Sequence, residues 1–184
     1  HLGFLNLSAG KTKEASQNFK LGLTIAKELN DSTSIAVGLN NIDNYFNSIG
    51  LKNRALEYYL ESYGYREALG DKRSMAVILS KIGNIYSEKS QANQALDHYN
   101  RSLKLKSELG DQQGMALVLC NIAMVYLELD SVNRAMESFK EAESYYVSAN
   151  NLMGLITSRK GLARVELARE SAENAKAYLM MVEE

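Results

Sequence analysis

The sequence contains no proline and no tryptophan, and it has one cysteine and two histidines. A globular chain of 184 residues contains roughly nine prolines on average. Because proline interrupts helix interiors, its absence favours a chain that is helical nearly throughout. The single cysteine, Cys120, excludes an internal disulfide framework. No apolar run reaches the length that spans a bilayer, so we expect no membrane segment here.

Charge and motifs also exclude several function classes. The formal net charge is −1, which provides no general attraction to nucleic acid or to an anionic membrane. The sequence shows no Walker loop, glycine-rich phosphate cradle, nucleophile elbow or paired-carboxylate site. His98 has no cysteine or carboxylate at metal-binding spacing, and Cys120 has no histidine base in its vicinity along the chain. We therefore expect no enzyme activity, no metal and no cofactor.

The most informative feature that is present is an internal repeat. Shifted by forty positions, the sequence matches itself without insertions. Asp71 aligns with Asp31, Asp111 and Asn151, and one alanine recurs five times (Ala15, Ala55, Ala95, Ala135 and Ala175). An aromatic residue follows this alanine by four positions (Phe19, Tyr59, Tyr99 and Phe139). A fixed period of this length is typical of stacked-repeat proteins.

Each repeat predicts a helical hairpin. Apolar residues in 78–86 recur at helical spacing, and a second apolar stripe runs from Ala92 to Leu109. Pairs such as Gly70-Asp71 combine a helix-ending glycine with a helix-capping aspartate. The predicted helices cover residues 1–9, 11–29, 32–49, 52–69, 72–89, 92–109, 112–129, 132–149, 152–169 and 172–184.

The repeat resembles the tetratricopeptide family, whose pattern is Leu-Gly-x-x-Tyr followed by Ala-x-x-x-Phe. Here Ile82-Gly83-Asn84-Ile85-Tyr86 is followed by Ala95 and Tyr99, and the next repeat has Tyr126, Ala135 and Phe139. The resemblance implies an all-α fold: a right-handed superhelical solenoid of antiparallel hairpins, with about nine or ten helices. The position of Gly83 in the family pattern is held by other residues in two further repeats, Asp43 and Ala163.

The chain departs from the family pattern in two features, which narrow the choice of similar proteins. The period is forty rather than about 34, and the proline at the end of the second helix is missing. The chain is therefore similar to the long-repeat scaffolds of animal spindle orientation, and equally to the sensory halves of bacterial signalling proteins. The implied function is a protein-interaction scaffold or sensor module. The alternative is an input domain acting in cis on a histidine kinase, a diguanylate cyclase or a DNA-binding domain; a nucleic-acid-binding solenoid is third.

The resemblance also implies which residues contact a ligand, because in this family the first helix of each hairpin lines the concave groove. An asparagine amide both donates and accepts hydrogen bonds, so a row of them can pair with the main chain of an extended peptide. Lys160 and Arg164 offer cationic donors to an acidic group. The expected peptide-binding residues are Asn40, Asn44, Asn47, Ser80, Asn84, Met124, Lys160 and Arg164. Phe4, Leu7 and Cys120 fall on the same face in this scheme.

The resulting picture is one repeat domain over residues 1–184, with repeats at 1–30 (partial), 31–70, 71–110, 111–150 and 151–184 (partial). We expect a piece of a longer protein, because the chain starts at His1 in the middle of a repeat. A protein or peptide is the expected partner, neither nucleic acid nor membrane is, and the apolar terminal helix leaves room for self-association. The expected location is the cytoplasm.

Overall fold

The computed structural model describes residues 12–170 and 172–183, and within these ranges all regular structure is α-helical. Eight helices of seventeen residues are followed by a shorter one. Their bounds are α1 Thr12–Glu28, α2 Ser32–Ser48, α3 Lys52–Ala68, α4 Lys72–Glu88, α5 Ala92–Glu108, α6 Gln112–Glu128, α7 Val132–Ser148, α8 Leu152–Ala168 and α9 Ala172–Glu183. These confirm the expected all-α hairpins from residue 12 onward. The helix expected over residues 1–9 lies outside the described residues.

Helix starts are fixed by short polar side chains. The carboxylate of Asp31 accepts hydrogen bonds from the backbone N–H groups of Thr33 and Ser34. Asp111 and Asn151 each accept one from the residue three positions on, at 2.9 Å. These contacts satisfy N–H groups that have no partner within the helix.

Helix ends recur every twenty residues as a single residue with positive φ: Asn30, Gly50, Gly70, Ser90, Gly110, Asp130, Asn150 and Glu170. At one such end the Asp71 N–H donates to the Arg66 carbonyl at 2.9 Å and the Gly70 N–H donates to Glu67 at 3.0 Å. This is the hydrogen-bond pattern of a Schellman motif. Each left-handed residue therefore closes one helix and turns the chain into the next.

The chain divides into two compact units, His1–Ile85 and Tyr86–Glu184, with the boundary inside α4. In the first unit α2 packs against α1 and α3, and fully buried Leu39, Ile42 and Tyr59 form part of its core. In the second unit each helix from α5 to α9 packs against the next, and α6 also contacts α8. The expectation of one continuous domain stays a prediction.

Small residues allow the close helix contacts on which this packing depends. Ala55, Ala95 and Ala135 all have no exposed surface, as expected for the recurring alanine. At Gly161 of α8 an added Cβ would meet the ring of Phe139 on α7. The small-residue position of the first helix in each hairpin is also buried, but in α2 it holds a carboxylic acid, Asp43.

Candidate functional site

In the first unit, the exposed side of α2 and α4 carries equivalent side chains one period apart. Asn44 is partly buried and Asn84 is exposed. Two helical turns before these asparagines, Val37 is 46% exposed and Val77 is 41% exposed. Residues seven apart lie on the same side of a helix, so apolar and amide groups share this surface. We call it the first-unit face, defined by Val37, Asn40, Asn44, Val77 and Asn84.

Lys81 of α4 crosses to α2 and holds two of the amides on this face. Its ammonium donates to Asn44 Oδ1 at 2.7 Å and to Asn40 Oδ1 at 3.4 Å. The Tyr59 hydroxyl also donates to Asn44 Oδ1, at 3.5 Å, and the Lys81 ammonium lies 5.4 Å from the Tyr59 ring centre. Because an ammonium has only donors, it orients both amides with their oxygens towards Lys81.

The remaining residues predicted on α2 and α4 are also engaged within the unit. Asn47 Oδ1 accepts from the Lys52 ammonium at 2.9 Å. The Ser80 hydroxyl donates to the Ala76 carbonyl of its own helix at 3.2 Å. The structure therefore commits the acceptor oxygens of Asn40, Asn44 and Asn47 to lysines. The amide N–H groups of these three asparagines are the half of each amide that a ligand can use.

Asp43 lies directly behind this arrangement. It has no exposed surface, and neither carboxylate oxygen has a hydrogen-bond partner among the described residues. Burial raises the pKa of Asp43 to about 8, against the opposing influence of the Lys81 charge and the nearby Asn44 N–H. Burial in turn lowers the pKa of Lys81, and the Asp43 charge opposes that shift. The acid is therefore mainly protonated at neutral pH.

A cavity of about 280 Å³ opens between α2, α3 and α4 beside this cluster. Its lining is Asn40, Ser62, Arg66, Arg73, Ser74, Val77 and Ile78. Two of these residues, Asn40 and Val77, belong to the first-unit face, so the cavity is continuous with it. None of the other five was singled out by sequence reasoning.

In the second unit the predicted residues are on α6 and α8. The Arg164 guanidinium donates to the Met124 sulfur at 3.7 Å, so the structure brings these two together. Lys160 and Arg164 are both exposed, one turn apart on α8. Leu117 of α6 is 55% exposed, at the position equivalent to Val77. These four residues define the second-unit face.

Of two other residues considered from sequence, Cys120 lies in the core and His98 is partly buried. Cys120 was placed on the groove face, but it is only 4% exposed; burial raises its pKa to about 11, and its thiol lies beside Tyr146. His98 stacks on Tyr86 with ring centres 5.3 Å apart and an interplanar angle of 7°. Among the residues that the structure describes, no three metal-ligating side chains cluster. Phe4 and Leu7 lie outside the described residues.

Sequence reasoning missed Lys81 and the exposed valines. The signal for the latter was present, because Val37, Val77 and Leu117 are one period apart, like Asn44 and Asn84. No role was assigned to that position from the sequence. In the described part of the chain no helix is both long enough and apolar enough to cross a membrane.

Comparison with known proteins agrees with this architecture. The tetratricopeptide repeat family model matches residues 74–148, and no curated protein sequence matches the chain. The structure of BtubC (BKLC) from P. vanneervenii is similar over 99% of this chain and 76% of that chain, at 19% identity and a TM-score of 0.90. A putative kinesin light chain from Podosopora anserina, in its Q17M form, is similar over 99% and 90%, at 14% identity and a TM-score of 0.82.

A signal-transduction ATPase from Pyrococcus horikoshii (PH0952), described as having a tetratricopeptide repeat sensor, is also similar. The match covers 98% of this chain and 35% of that one, at 14% identity and a TM-score of 0.77. At such identities the likeness shows the fold. It therefore extends the repeat architecture beyond the residues that the family model matches.

Proposed function

We propose that this chain is a protein-interaction module, because it belongs to the tetratricopeptide repeat family. An extended segment of a partner protein binds the first helices of its hairpins. On the first unit this means the first-unit face, and on the second unit the second-unit face. The proposal assigns the chain no catalysis and no nucleic acid, and a cytoplasmic location stays a prediction.

The exposed apolar residue that recurs at one position carries this proposal. Val37, Val77 and Leu117 each leave at least two-fifths of their surface in water. Single exposed apolar residues are ordinary, but Val37 and Val77 occupy equivalent positions in successive hairpins of the first unit, and Leu117 occupies the same position in the second unit. Covering a valine removes apolar surface from water and favours binding by about 25 cal/mol per Å². The amide N–H groups beside Val37 and Val77 then supply hydrogen bonds to the main-chain carbonyls of the same segment.

The cationic pair on α8 adds a charge preference on the second unit. Lys160 and Arg164 are exposed, and the Met124 sulfur is only a weak acceptor for the guanidinium. An acidic side chain or a terminal carboxylate of the partner segment would replace that contact with charged hydrogen bonds, each contributing about 1.5–3 kcal/mol. We therefore propose that a segment bound to the second-unit face places an acidic group near Lys160 and Arg164 of α8.

A second candidate function is an input domain that acts in cis. The Pyrococcus horikoshii protein is described as having a tetratricopeptide repeat sensor, and the present chain covers 35% of its length. In this version the segment that binds the faces belongs to a flanking domain of the same polypeptide. Either version requires the same faces, so one experiment tests both.

The test selects peptide ligands from a random library displayed on phage and measures their affinity by fluorescence anisotropy. Val77→Ser and Asn84→Ala should each weaken a selected ligand roughly three- to tenfold. Arg164→Ala should weaken acidic ligands roughly tenfold or more and leave neutral ones unchanged. Matched controls are Leu60→Ser on α3, where the leucine is 51% exposed, and Asn93→Ala on α5, where the asparagine is exposed.

The control variants should bind like the parent protein, and far-ultraviolet circular dichroism should show equal helix content throughout. If Leu60→Ser or Asn93→Ala weakens binding while Val77→Ser, Asn84→Ala and Arg164→Ala do not, the binding surface is on the second helices. The proposal would then be wrong.

A further inference from the structure

The buried acid on α2 is a group that the proposed interaction does not use. Asp43 has no exposed surface, and neither of its carboxylate oxygens has a hydrogen-bond partner among the described residues. A buried ionisable group without partners either stays neutral or acquires a counter-charge. The state of Asp43 is therefore set by the charged groups that the neighbouring helices bring to it.

Three helices surround this part of α2, and one of them supplies a cation. From α3 comes the phenol of Tyr59; burial raises its pKa, and the Asp43 charge adds to that shift. From α4 comes Lys81, whose ammonium lies 5.4 Å from the centre of the Tyr59 ring. From α1, Phe19 and Leu23 pack against α2, and neither side chain titrates. Within the described residues, Lys81 is therefore the cation that acts on the acid.

Lys81 has two sets of acceptors that compete for its ammonium. In the structure it donates to Asn44 Oδ1 at 2.7 Å and to Asn40 Oδ1 at 3.4 Å. Asp43 is the sequence neighbour of Asn44 on the same helix, and its charge opposes the lowering of the Lys81 pKa by burial. A hydrogen bond from an ammonium is stronger to a carboxylate than to a neutral amide oxygen. An ionised Asp43 therefore competes with both amides for the same ammonium.

We propose that Asp43 and Lys81 form a pH-sensitive switch beneath the first-unit face, in which loss of the Asp43 proton moves the Lys81 ammonium from the amide oxygens of Asn40 and Asn44 to the buried carboxylate. The released oxygens then accept hydrogen bonds, so the two amides change from donors alone to donors and acceptors. The arrangement of the side chains determines which groups exchange. Burial, which raises the pKa of Asp43 to about 8, determines the pH at which they do so.

The switch has a consequence for binding that rests on the interaction function proposed above. Below the midpoint, Asn40 and Asn44 offer only N–H groups to a partner segment. Above it, their oxygens also accept from main-chain N–H groups of that segment. The two additional hydrogen bonds should strengthen binding of such a segment roughly three- to tenfold on the alkaline side.

The test is a carbon-detected nuclear magnetic resonance titration of the whole chain across this midpoint, which needs no ligand. In the parent protein the side-chain Cγ resonances of Asp43, Asn40 and Asn44 should shift together, with one midpoint near pH 8. In Asp43→Asn the two asparagine resonances should show no shift at that midpoint. In Lys81→Met, which keeps the aliphatic stem, the Asp43 midpoint should rise, because the charge that favours the ionised acid is lost. The asparagine shifts should become several times smaller in this variant.

Lys52→Met is the matched control. It removes the ammonium that donates to Asn47 Oδ1 on the same helix, at 2.9 Å. The titration of Asp43 and the response of Asn44 should therefore be the same in Lys52→Met as in the parent protein.

The proposal is overturned if Asn44 shifts as much in Lys81→Met as in the parent, because the carboxylate then acts on the amide without any movement of the lysine. It is also overturned if circular dichroism shows helix loss at the midpoint, because the ionised acid then disrupts the fold instead of pairing with Lys81. A library-selected ligand separates the switch from the interaction function. If Asn84→Ala weakens that ligand but its affinity is equal on both sides of the midpoint, the interaction face stands and its control by the switch is wrong. If the resonances shift as expected and no ligand is selected, the switch stands and the interaction function fails.

Discussion

Replacing Asp43 by Asn should remove a pH dependence from the stability of the protein. Asp43 has no exposed surface and no hydrogen-bond partner for either oxygen among the described residues. Burial raises its pKa from 3.8 to about 8. The acid is therefore protonated in the folded chain at pH 7, while in the unfolded chain it is ionised. Asn has nearly the same shape and does not titrate.

The direction in which stability changes with pH follows from the number of protons bound by the folded and the unfolded chain. Between pH 3.8 and about 8 the folded chain holds a proton that the unfolded chain has lost, so raising the pH favours unfolding. The stabilising contribution is complete below pH 3.8, declines through this window and is gone above pH 8. A full proton difference changes the free energy of unfolding by about 1.4 kcal/mol per pH unit. Between pH 5 and pH 7 the parent protein should lose about 3 kcal/mol relative to Asp43→Asn.

The measurement is urea unfolding of both proteins at pH 5, 6 and 7, followed by far-ultraviolet circular dichroism. The range stops at pH 7 because the lowered pKa of Lys81 adds a contribution of opposite sign on the alkaline side. Glu57→Gln is the control, since Glu57 is an exposed acidic residue of the same unit; its free-energy difference from the parent should change far less over this range than that of Asp43→Asn. If the difference between the parent and Asp43→Asn is instead flat from pH 5 to pH 7, Asp43 is ionised in the folded chain as it is in the unfolded chain, and the reasoning fails.

Two further predictions concern helix packing. Ala95→Leu should lower the free energy of unfolding by about 1–3 kcal/mol, because Ala95 has no exposed surface; an unchanged melting temperature would contradict its place between helices. Gly161→Ala should destabilise by a similar amount, since its Cβ would meet the Phe139 ring. Gly64→Ala, where nothing lies within 4 Å of the added atom, should instead stabilise by about 0.5–1 kcal/mol, and urea midpoints of the two glycine variants check both signs.

The helical hairpins could be predicted from the sequence because their signals are local. The period of forty, the capping residues Asp31 and Asp111, and the apolar stripes place the described helices within about two residues of their observed ends. The turns at Gly50 and Gly70 were expected from residue type. Those at Ser90 and Glu170 have the same positive φ without a residue that favours it, so there the hydrogen bonds that end the helix set the backbone.

The chemistry of the first-unit face could be predicted only in part. The period placed Asn44 and Asn84 on equivalent helices, and both are accessible in the structure. It could not show that Lys81 reaches back 37 residues to Asn44, because that contact depends on how α4 packs against α2. The sequence therefore suggested amides that both donate and accept, whereas in the structure the Asn44 oxygen is already bonded to Lys81 and the Asn44 N–H groups remain for a ligand.

The contact between Lys81 and Asn44 connects the first-unit face to the core through Asp43. The small-residue position that holds Gly83, Ala123 and Ala163 elsewhere holds an acid in α2, and the acid has Lys81 as the positive charge that lowers its pKa. The same ammonium is bonded to the amide oxygen of Asn44 on the exposed side of the helix. If a bound ligand displaced the Lys81 ammonium, we would expect the pKa of Asp43 to rise further, because the charge that opposes its shift would be lost. The protonation of a buried acid is thus linked to the exposed face through one lysine.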